Sequence, residues 1–486
     1  MSDTLDTLQK ALTPKTGMRR IPFPTESYQH SSPPLSAKRL VNYYAEEAPT
    51  DARSQVVLMP TQGLVTWHNL DNGPIKAMNS DLPGRIYVVS GDRFYRITDG
   101  TTFEDLGSVG LSMPDVNGLD TYIPTIAVGP TAVVVCVPPN VWTADHTGPI
   151  NQLGGTFPAE GASSVTYLDG YFVFTQAGHG GPFFICRLLD PTDFDALDFA
   201  YADAFPNDVR RVVTHRGELW FLGFSGFEVW YDSGDADFPF RRRAGGVTKH
   251  GTATHKSMAM GDDSVWWFGI DGNIYRSNGY AAVRVSTHAI EKIIEGLSFS
   301  TLVSALTYTQ DGHLFYVMNF TGRSLAYDVA TKQWADRVSG ADGSRWRCNA
   351  VAGNMITPIF GDSLSGQLML MAPGITELGV GILRQVTMPP LWAGTSRAFC
   401  HRLEIEMEVP AALLSVLVEW SDDGGTTWKG HRVIDVSAIT AARRRVVTTR
   451  LGSFHERTFR LTMNGAAPVL YAVDADILGP PTIVGG

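Results

Sequence analysis

One phrase recurs along the chain: a short strand rich in aromatic and β-branched residues, a Gly, Asp or Asn turn, and a second such strand. It reads Arg85-Ile-Tyr-Val-Val-Ser-Gly-Asp-Arg-Phe-Tyr-Arg-Ile, then Glu218-Leu-Trp-Phe-Leu-Gly-Phe-Ser-Gly-Phe-Glu-Val-Trp-Tyr. It returns as Ser264-Val-Trp-Trp-Phe-Gly-Ile-Asp-Gly-Asn-Ile-Tyr-Arg and as His313-Leu-Phe-Tyr-Val-Met-Asn-Phe-Thr-Gly-Arg-Ser-Leu-Ala-Tyr. Period-two alternation buries one face of a strand, and glycine supplies the positive φ of a tight turn, so each copy predicts a β-hairpin. Weaker copies begin near Ala132, Ser164 and Thr357. The seven starts, near 85, 132, 164, 218, 264, 313 and 357, are spaced by 47, 32, 54, 46, 49 and 44 residues. A period of about 45 suits one four-stranded propeller blade, whereas a β-sandwich shows turns every roughly 8–12 residues and no higher period. The expected fold is all-β, a propeller of six or seven blades.

Elsewhere the texture differs. Thr287-His-Ala-Ile-Glu-Lys-Ile-Ile-Glu-Gly-Leu places Ile290, Ile293, Ile294 and Leu297 on one helical face, with Ser286 or Thr287 as N-cap. Residues 372–398 are punctuated by Gly and Pro, after which Arg402-Leu-Glu-Ile-Glu-Met-Glu-Val alternates as a half-exposed strand. Similar strands at 414–420, 443–450 and 457–463 predict a C-terminal β-sandwich. Ile21-Pro-Phe-Pro and Ser31-Ser-Pro-Pro make the opening look like an arm that lies along the body or a partner. The predicted organisation is an extended N-terminal arm at 1–60, propeller at 61–375, linker at 376–397, β-sandwich at 398–480 and tail at 481–486.

Charge narrows the function. The 39 basic and 49 acidic residues leave a net charge of −10, the wrong sign for a general nucleic-acid binder, which needs cations to displace counterions from phosphates. The runs Arg241 to Arg243 and Arg443 to Arg445 fit solvated strand edges or salt-bridge partners. Cys136, Cys186, Cys348 and Cys400 are widely scattered without CxxC spacing, which predicts reduced thiols and no zinc site. The opening MSDTLDTLQK has no apolar signal region, and no run of about 18 apolar residues occurs. A soluble protein made in the cytoplasm, without a membrane anchor, is expected.

The sharpest motif is Ser421-Asp-Asp-Gly-Gly-Thr-Thr-Trp, which fits the Asp-box pattern S-x-D-x-G-x-T-W at Ser421, Asp423, Gly425, Thr427 and Trp428. Its physics is a hairpin turn: Asp and Ser oxygens bond turn amides, Gly takes positive φ, and Trp packs under the loop. Sialidases, which are propellers, use this motif, and Arg20-Ile21-Pro22 resembles their arginine motif, so a carbohydrate-binding or sialidase-like propeller is the alternative. Sialidases repeat the Asp box across blades, however, and here it occurs once, outside the hairpin repeat. No GxSxG, HExxH or P-loop is present. Gly223-Phe-Ser-Gly-Phe fits a turn, His250 and His255 an exposed pair, and Trp266-Trp267-Phe268 a blade core. No catalytic residue, metal site or cofactor is expected.

Phrases dispersed along the chain resemble those of one protein family. Ser36-Ala-Lys-Arg-Leu-Val-Asn-Tyr-Tyr-Ala-Glu and Leu58-Met-Pro-Thr-Gln-Gly-Leu resemble the family's opening "xxNxYxE" and "LxPTPGL" phrases, with Gln62 where Pro is usual. Phe224-Ser-Gly-Phe-Glu-Val-Trp is similar to its "G-S-x-T-x-E-x-W/F" hairpin, and Val283-Arg-Val-Ser-Thr-His-Ala-Ile-Glu-Lys-Ile-Ile to its "ISTxAIExxI" helix entry. The Asp box and the stretch from Arg443 to Leu461 resemble its "RxLGxxRxRxFxL" sandwich. That family is the tail hub or packaged-DNA stabilisation proteins of short-tailed bacteriophages, and the resemblance implies a virion structural protein that forms a homo-oligomeric ring, a hexamer, below the portal and adaptor. There it closes the head, stabilises packaged DNA and carries a distal nozzle, needle or tailspike or fibre. Contact with passing DNA would be transient and non-specific.

Overall fold

The computed structural model describes residues 17–479 apart from 31, 33–35, 49–53, 82–83, 113–121, 179, 205–208, 298–300, 354–356, 409–414, 437–442 and 465–466. The expected 481–486 tail lies outside the described residues. The chain divides into two compact units, each assembled from separate stretches. One comprises 64–324 with 345–372, the other 1–63 with 325–344 and 373–486.

The first unit is the propeller. Five complete four-stranded antiparallel sheets follow one another over 75–108, 125–152, 162–201, 209–248 and 259–284. A sixth hairpin pairs Leu302–Gln310 with His313–Phe320, and a seventh sheet contains Cys348–Gly353, Pro358–Asp362 and Gln367–Ala372. The second strands of the seven sheets begin at 86, 132, 171, 218, 264, 313 and 358, spaced by 46, 39, 47, 46, 49 and 45 residues. The ragged copy near Ser164 was one strand early: Ala162–Leu168 is an inner strand, and the equivalent hairpin starts at Tyr171. Both strands carry the same alternation, so pattern alone does not separate them.

Apolar side chains fill the spaces between successive sheets. Tyr87, Val89 and Phe94 pack with Val133, Val135 and Trp142, and Leu219 and Phe221 with Val173 and Phe183. The ring is closed non-locally. Gly63–Asn69 adds the fourth strand to the seventh sheet, where the Thr66 hydroxyl donates to Gln367 Oε1 at 2.8 Å and the Leu70 amide to the Gly366 carbonyl at 2.9 Å. Ile75, Ile86 and Ile97 of the first sheet then bury against Ala352, Ile359 and Leu368 of the seventh. The helix His288–Leu297 buries Ala289, Ile290 and Ile294, and its Glu291 accepts from Ser286 at 2.6 Å and pairs with Arg284.

The second unit is a β-sandwich, and it corrects two expectations. One sheet runs Tyr43–Glu47, Val56–Pro60, Val469–Leu478, Ala398–Glu408, Arg443–Phe454, with Met18–Ile21 paired to Val469–Leu478. The other contains Gln333–Asp336, Ala37–Val41, Arg384–Thr387, Glu456–Asn464, Ser415–Ser421 and Gly430–Asp435 in that order. The stretch expected as a loose arm therefore supplies strands to both sheets, and the expected linker supplies Arg384–Thr387 and Leu391–Trp392. Ile21, Leu40, Tyr43, Leu58, Val386 and Leu391 share one core with Leu403, Ile405, Phe459 and Val473. Their partners lie hundreds of residues away, so no local pattern announces the pairing. Nor is Ala398–Glu408 half-exposed: Leu403, Ile405 and Met407 are buried on one face, and Glu404 and Glu406 are buried as well. Glu404 pairs with Arg402 at 2.6 Å and Arg445 at 3.1 Å.

Candidate functional site

The Asp-box turn joins Ser415–Ser421 to Gly430–Asp435 in the sandwich. Ser421 Oγ accepts the Gly425 amide at 2.8 Å and donates to Asp423 Oδ1 at 2.6 Å, while Asp423 accepts the Thr427 amide at 2.8 Å and the Thr427 hydroxyl. Gly424 and Gly425 take φ of 70° and 93°, which a side chain would oppose. Partial desolvation works against ionisation of Asp423, but the bonds from Ser421 and Thr427 outweigh it and hold the carboxyl at about 2. Two arginines fasten the turn to the neighbouring strand. Arg460 grips Glu419 at 2.7 and 2.9 Å and lies 3.9 Å over the Trp428 ring. Arg457, almost wholly buried, grips Asp422 at 2.7 and 2.9 Å and donates to the Leu451 carbonyl at 2.6 Å. The side-chain oxygens of Ser421, Asp423 and Thr427 are all engaged in holding the turn. The site residues sequence patterning missed are these arginines, whose charge suggested solvent rather than burial.

A second constellation lies deeper in the same unit. Tyr43, Tyr44 and Ala45 pair with Pro60, Met59 and Leu58, so the two opening phrases are adjacent strands. Asn42, at φ 55°, donates through Nδ2 to the carbonyls of Val338 (2.9 Å) and Leu383 (2.8 Å). Its Oδ1 accepts the Val338 amide at 3.1 Å and Arg337 Nη1 at 3.2 Å. Arg337 also donates to the Thr61 hydroxyl and to the Gln62 carbonyl at 2.9 Å, and Arg384 to the carbonyls of Thr61 and Gly374, both at 3.0 Å. Both arginines are about 1 % exposed. Burial, with the like charge of Arg337 adding to it, pulls Arg384 down to about 10. At Gln62 this contact uses the backbone carbonyl, which the Pro usual in similar proteins would also present. The knot ties three chain segments together through hydrogen bonds from Asn42, Arg337 and Arg384.

Other candidates separate into ordinary packing. Arg20 pairs with Asp474 at 2.7 and 3.3 Å along a sheet edge. Arg241, Arg242 and Arg243 face Asp235, Glu228 and Glu218, as salt-bridge partners. His255 is buried rather than turn-exposed: its Nε2 accepts the Ile123 amide at 3.2 Å and its ring lies on Tyr122, whereas His250 lies on Tyr275. Trp266 stacks on Tyr316, and Trp267 meets Phe227 edge-on, both buried. The four cysteines are buried and form no disulfide, and burial raises their thiols where a shift is resolved, Cys400 to about 11. Among the described residues no group of three or more His, Cys, Asp or Glu is placed to hold a metal ion, and no helix is long and apolar enough to cross a membrane. An open groove of about 640 Å³ beside the helix is ringed by Glu291, Lys292 and Glu295, two of which pair with each other.

A further concavity lies on the propeller axis. One strand from each of the seven sheets, Ile75–Ser80, Thr125–Val128, Ala162–Leu168, Val209–His215, Ala259–Gly261, Leu302–Gln310 and Cys348–Gly353, lines a single cavity of about 390 Å³. That set fixes the blade number at seven.

Comparison with known proteins gives two family matches in tandem. The model described as bacteriophage P22 Gp10, β-propeller, covers residues 20–376, and that described as bacteriophage P22 Gp10, β-sandwich, covers 384–476. No curated protein matches the chain. Similar solved structures include a streptogramin B lyase, 10% identical with a TM-score of 0.44, over 64% of this chain and 97% of that one. Virginiamycin B lyase from Staphylococcus aureus is 12% identical with a TM-score of 0.43, over 64% and 99%. The computationally designed Ika8 protein is 12% identical with a TM-score of 0.37, over 64% and 99%. At these identities and scores the likeness bears on neither activity nor ligand.

Proposed function

This chain belongs to the bacteriophage P22 Gp10 family of phage structural proteins, and from that premise we propose that it is the tail hub of a short-tailed phage particle. The observation that carries the proposal is the tandem match of both family domains over nearly the whole chain. The polar groups of its most conspicuous motifs support the same role. In the Asp-box turn and in the knot around Asn42 they bond chain segments to one another, which suits a structural role.

In this role copies of the chain form a ring, a hexamer, below the portal and adaptor. The ring closes the filled head, retains the packaged DNA and carries the distal nozzle, needle, tailspike or fibre. DNA passes through the lumen between copies, touching it transiently. The net charge of −10 favours passage without adhesion, since an anionic wall repels phosphates. The protein acts by binding, without catalysis.

The test is complementation of DNA-filled heads made without this protein. Those heads should lose their DNA or leave it open to nuclease, and added chain should restore both retention and infectivity. Heads that keep nuclease-resistant DNA without the chain would overturn the proposal. The carbohydrate alternative gains no support from Arg20, whose guanidinium is engaged by Asp474.

A further inference from the structure

In a chain with net charge −10, the axial cavity of the propeller carries the opposite sign. Among the described side chains that line it, the only charged ones are Lys76 and Arg211, and no carboxylate is present. Each blade repeats the same up-and-down order, so all seven inner strands start at the same end of the axis. Lys76, Arg211 and Asn349 each lie within the first few residues of their strands and therefore surround one mouth.

None of the three is fully matched. Arg211 has one long bond, from Nη1 to the His255 carbonyl at 3.5 Å, and its buried Nε has no partner among the described residues. Burial lowers Arg211 to about 10 and lowers Lys76 also, the latter partly offset by Asp92, which does not line the cavity. Asn349 commits Nδ2 to the Ile75 carbonyl at 2.9 Å and leaves Oδ1 buried without a partner. Lys76 and Arg211 are half-buried and face no carboxylate among the side chains that line the cavity, and a buried unpaired acceptor is costly.

We propose that this mouth binds a small phosphate-class oxyanion. Lys76 and Arg211 donate to its oxygens, and Asn349 Oδ1 accepts its P–O–H. A hydrogen phosphate presents both acceptors and a donor, whereas an ionised carboxylate presents acceptors alone and leaves Asn349 unmatched. The volume of about 390 Å³ admits a small ligand. It is far too small for a DNA duplex, so the site is distinct from the DNA passage proposed above.

The test is calorimetric titration of the full chain with inorganic phosphate, a nucleoside monophosphate and, as carboxylate control, acetate at matched ionic strength. Saturable phosphate binding is expected. Affinity should fall by about tenfold or more in Arg211→Met and in Lys76→Met, as loss of a charge-assisted bond predicts. Arg93→Met, which removes an exposed arginine paired with Asp105, should leave binding unchanged. Arg211→Lys keeps the charge and should retain binding if the Met variant does not fold. Either result with the nucleoside monophosphate upholds the site and tells whether the anion is free or carried. No saturable phosphate binding by the wild type, equal binding by the charge-removed variants, or acetate binding as tightly as phosphate would overturn the proposal.

Discussion

Asn42 occupies a left-handed backbone position and satisfies backbone groups of two other segments at once. Asn42→Ala would strand those groups and leave a Cβ at φ 55°, so it should destabilise the sandwich unit by about 3 kcal/mol. Asn42→Gly keeps the loss of bonds but removes the strain, and should cost about 1 kcal/mol less. Urea unfolding followed by tryptophan fluorescence measures both. Values within about 0.5 kcal/mol of the wild type would show that the knot is not structural. At Asp423 the carboxyl is lowered from 3.8 to about 2, so its bonds stabilise the fold above the unfolded value and are lost as pH falls through about 2. The melting-temperature gap between wild type and Asp423→Ala should therefore be full near pH 5 and close towards pH 2. A gap that persists undiminished at pH 2 would contradict that assignment. Ser421, Asp423 and Thr427 were legible because their bonds are local. Arg337 and Arg384 were not, because an arginine buried against distant carbonyls leaves no mark in the neighbouring sequence.

Elements divide along the same line. The hairpins advertised themselves by alternation and by a period of about 45 residues, and the sixth and seventh blades were legible for that reason. Closure by Gly63–Asn69 was not, since its partner strand lies some three hundred residues on. The same holds for strands Ala37–Val41, Tyr43–Glu47 and Val56–Pro60, which looked like an arm and are built into the sandwich. Deleting residues 1–60 should thus abolish the cooperative unfolding transition of the sandwich while sparing that of the propeller, whose closing strand starts at Gly63. Scanning calorimetry of the full and shortened chains distinguishes this. If the shortened chain keeps both transitions, the opening segment is an arm after all. Gly430 makes a sharper local probe: a Cβ there would collide with the Trp420 ring, so Gly430→Ala should destabilise the Asp-box hairpin.

At the scale of the whole molecule, a seven-bladed propeller and a sandwich, each assembled from separated stretches of one chain, make up this phage structural protein. In the proposed ring, net negative charge matters as a property of the assembly. Replacing lumen-facing acids by lysine should slow genome ejection, most at low salt, because phosphate attraction is screened as ionic strength rises. Ejection that proceeds at the wild-type rate in low salt would separate the charge from the function. The central claim is that the chain is a ring-forming hub, and image averaging of particles purified through a tag on this protein tests it most directly. Six copies in a ring on the portal axis, between adaptor and distal tail, is the predicted result; particles that lack the chain, with the protein recovered only as free monomer, would contradict it.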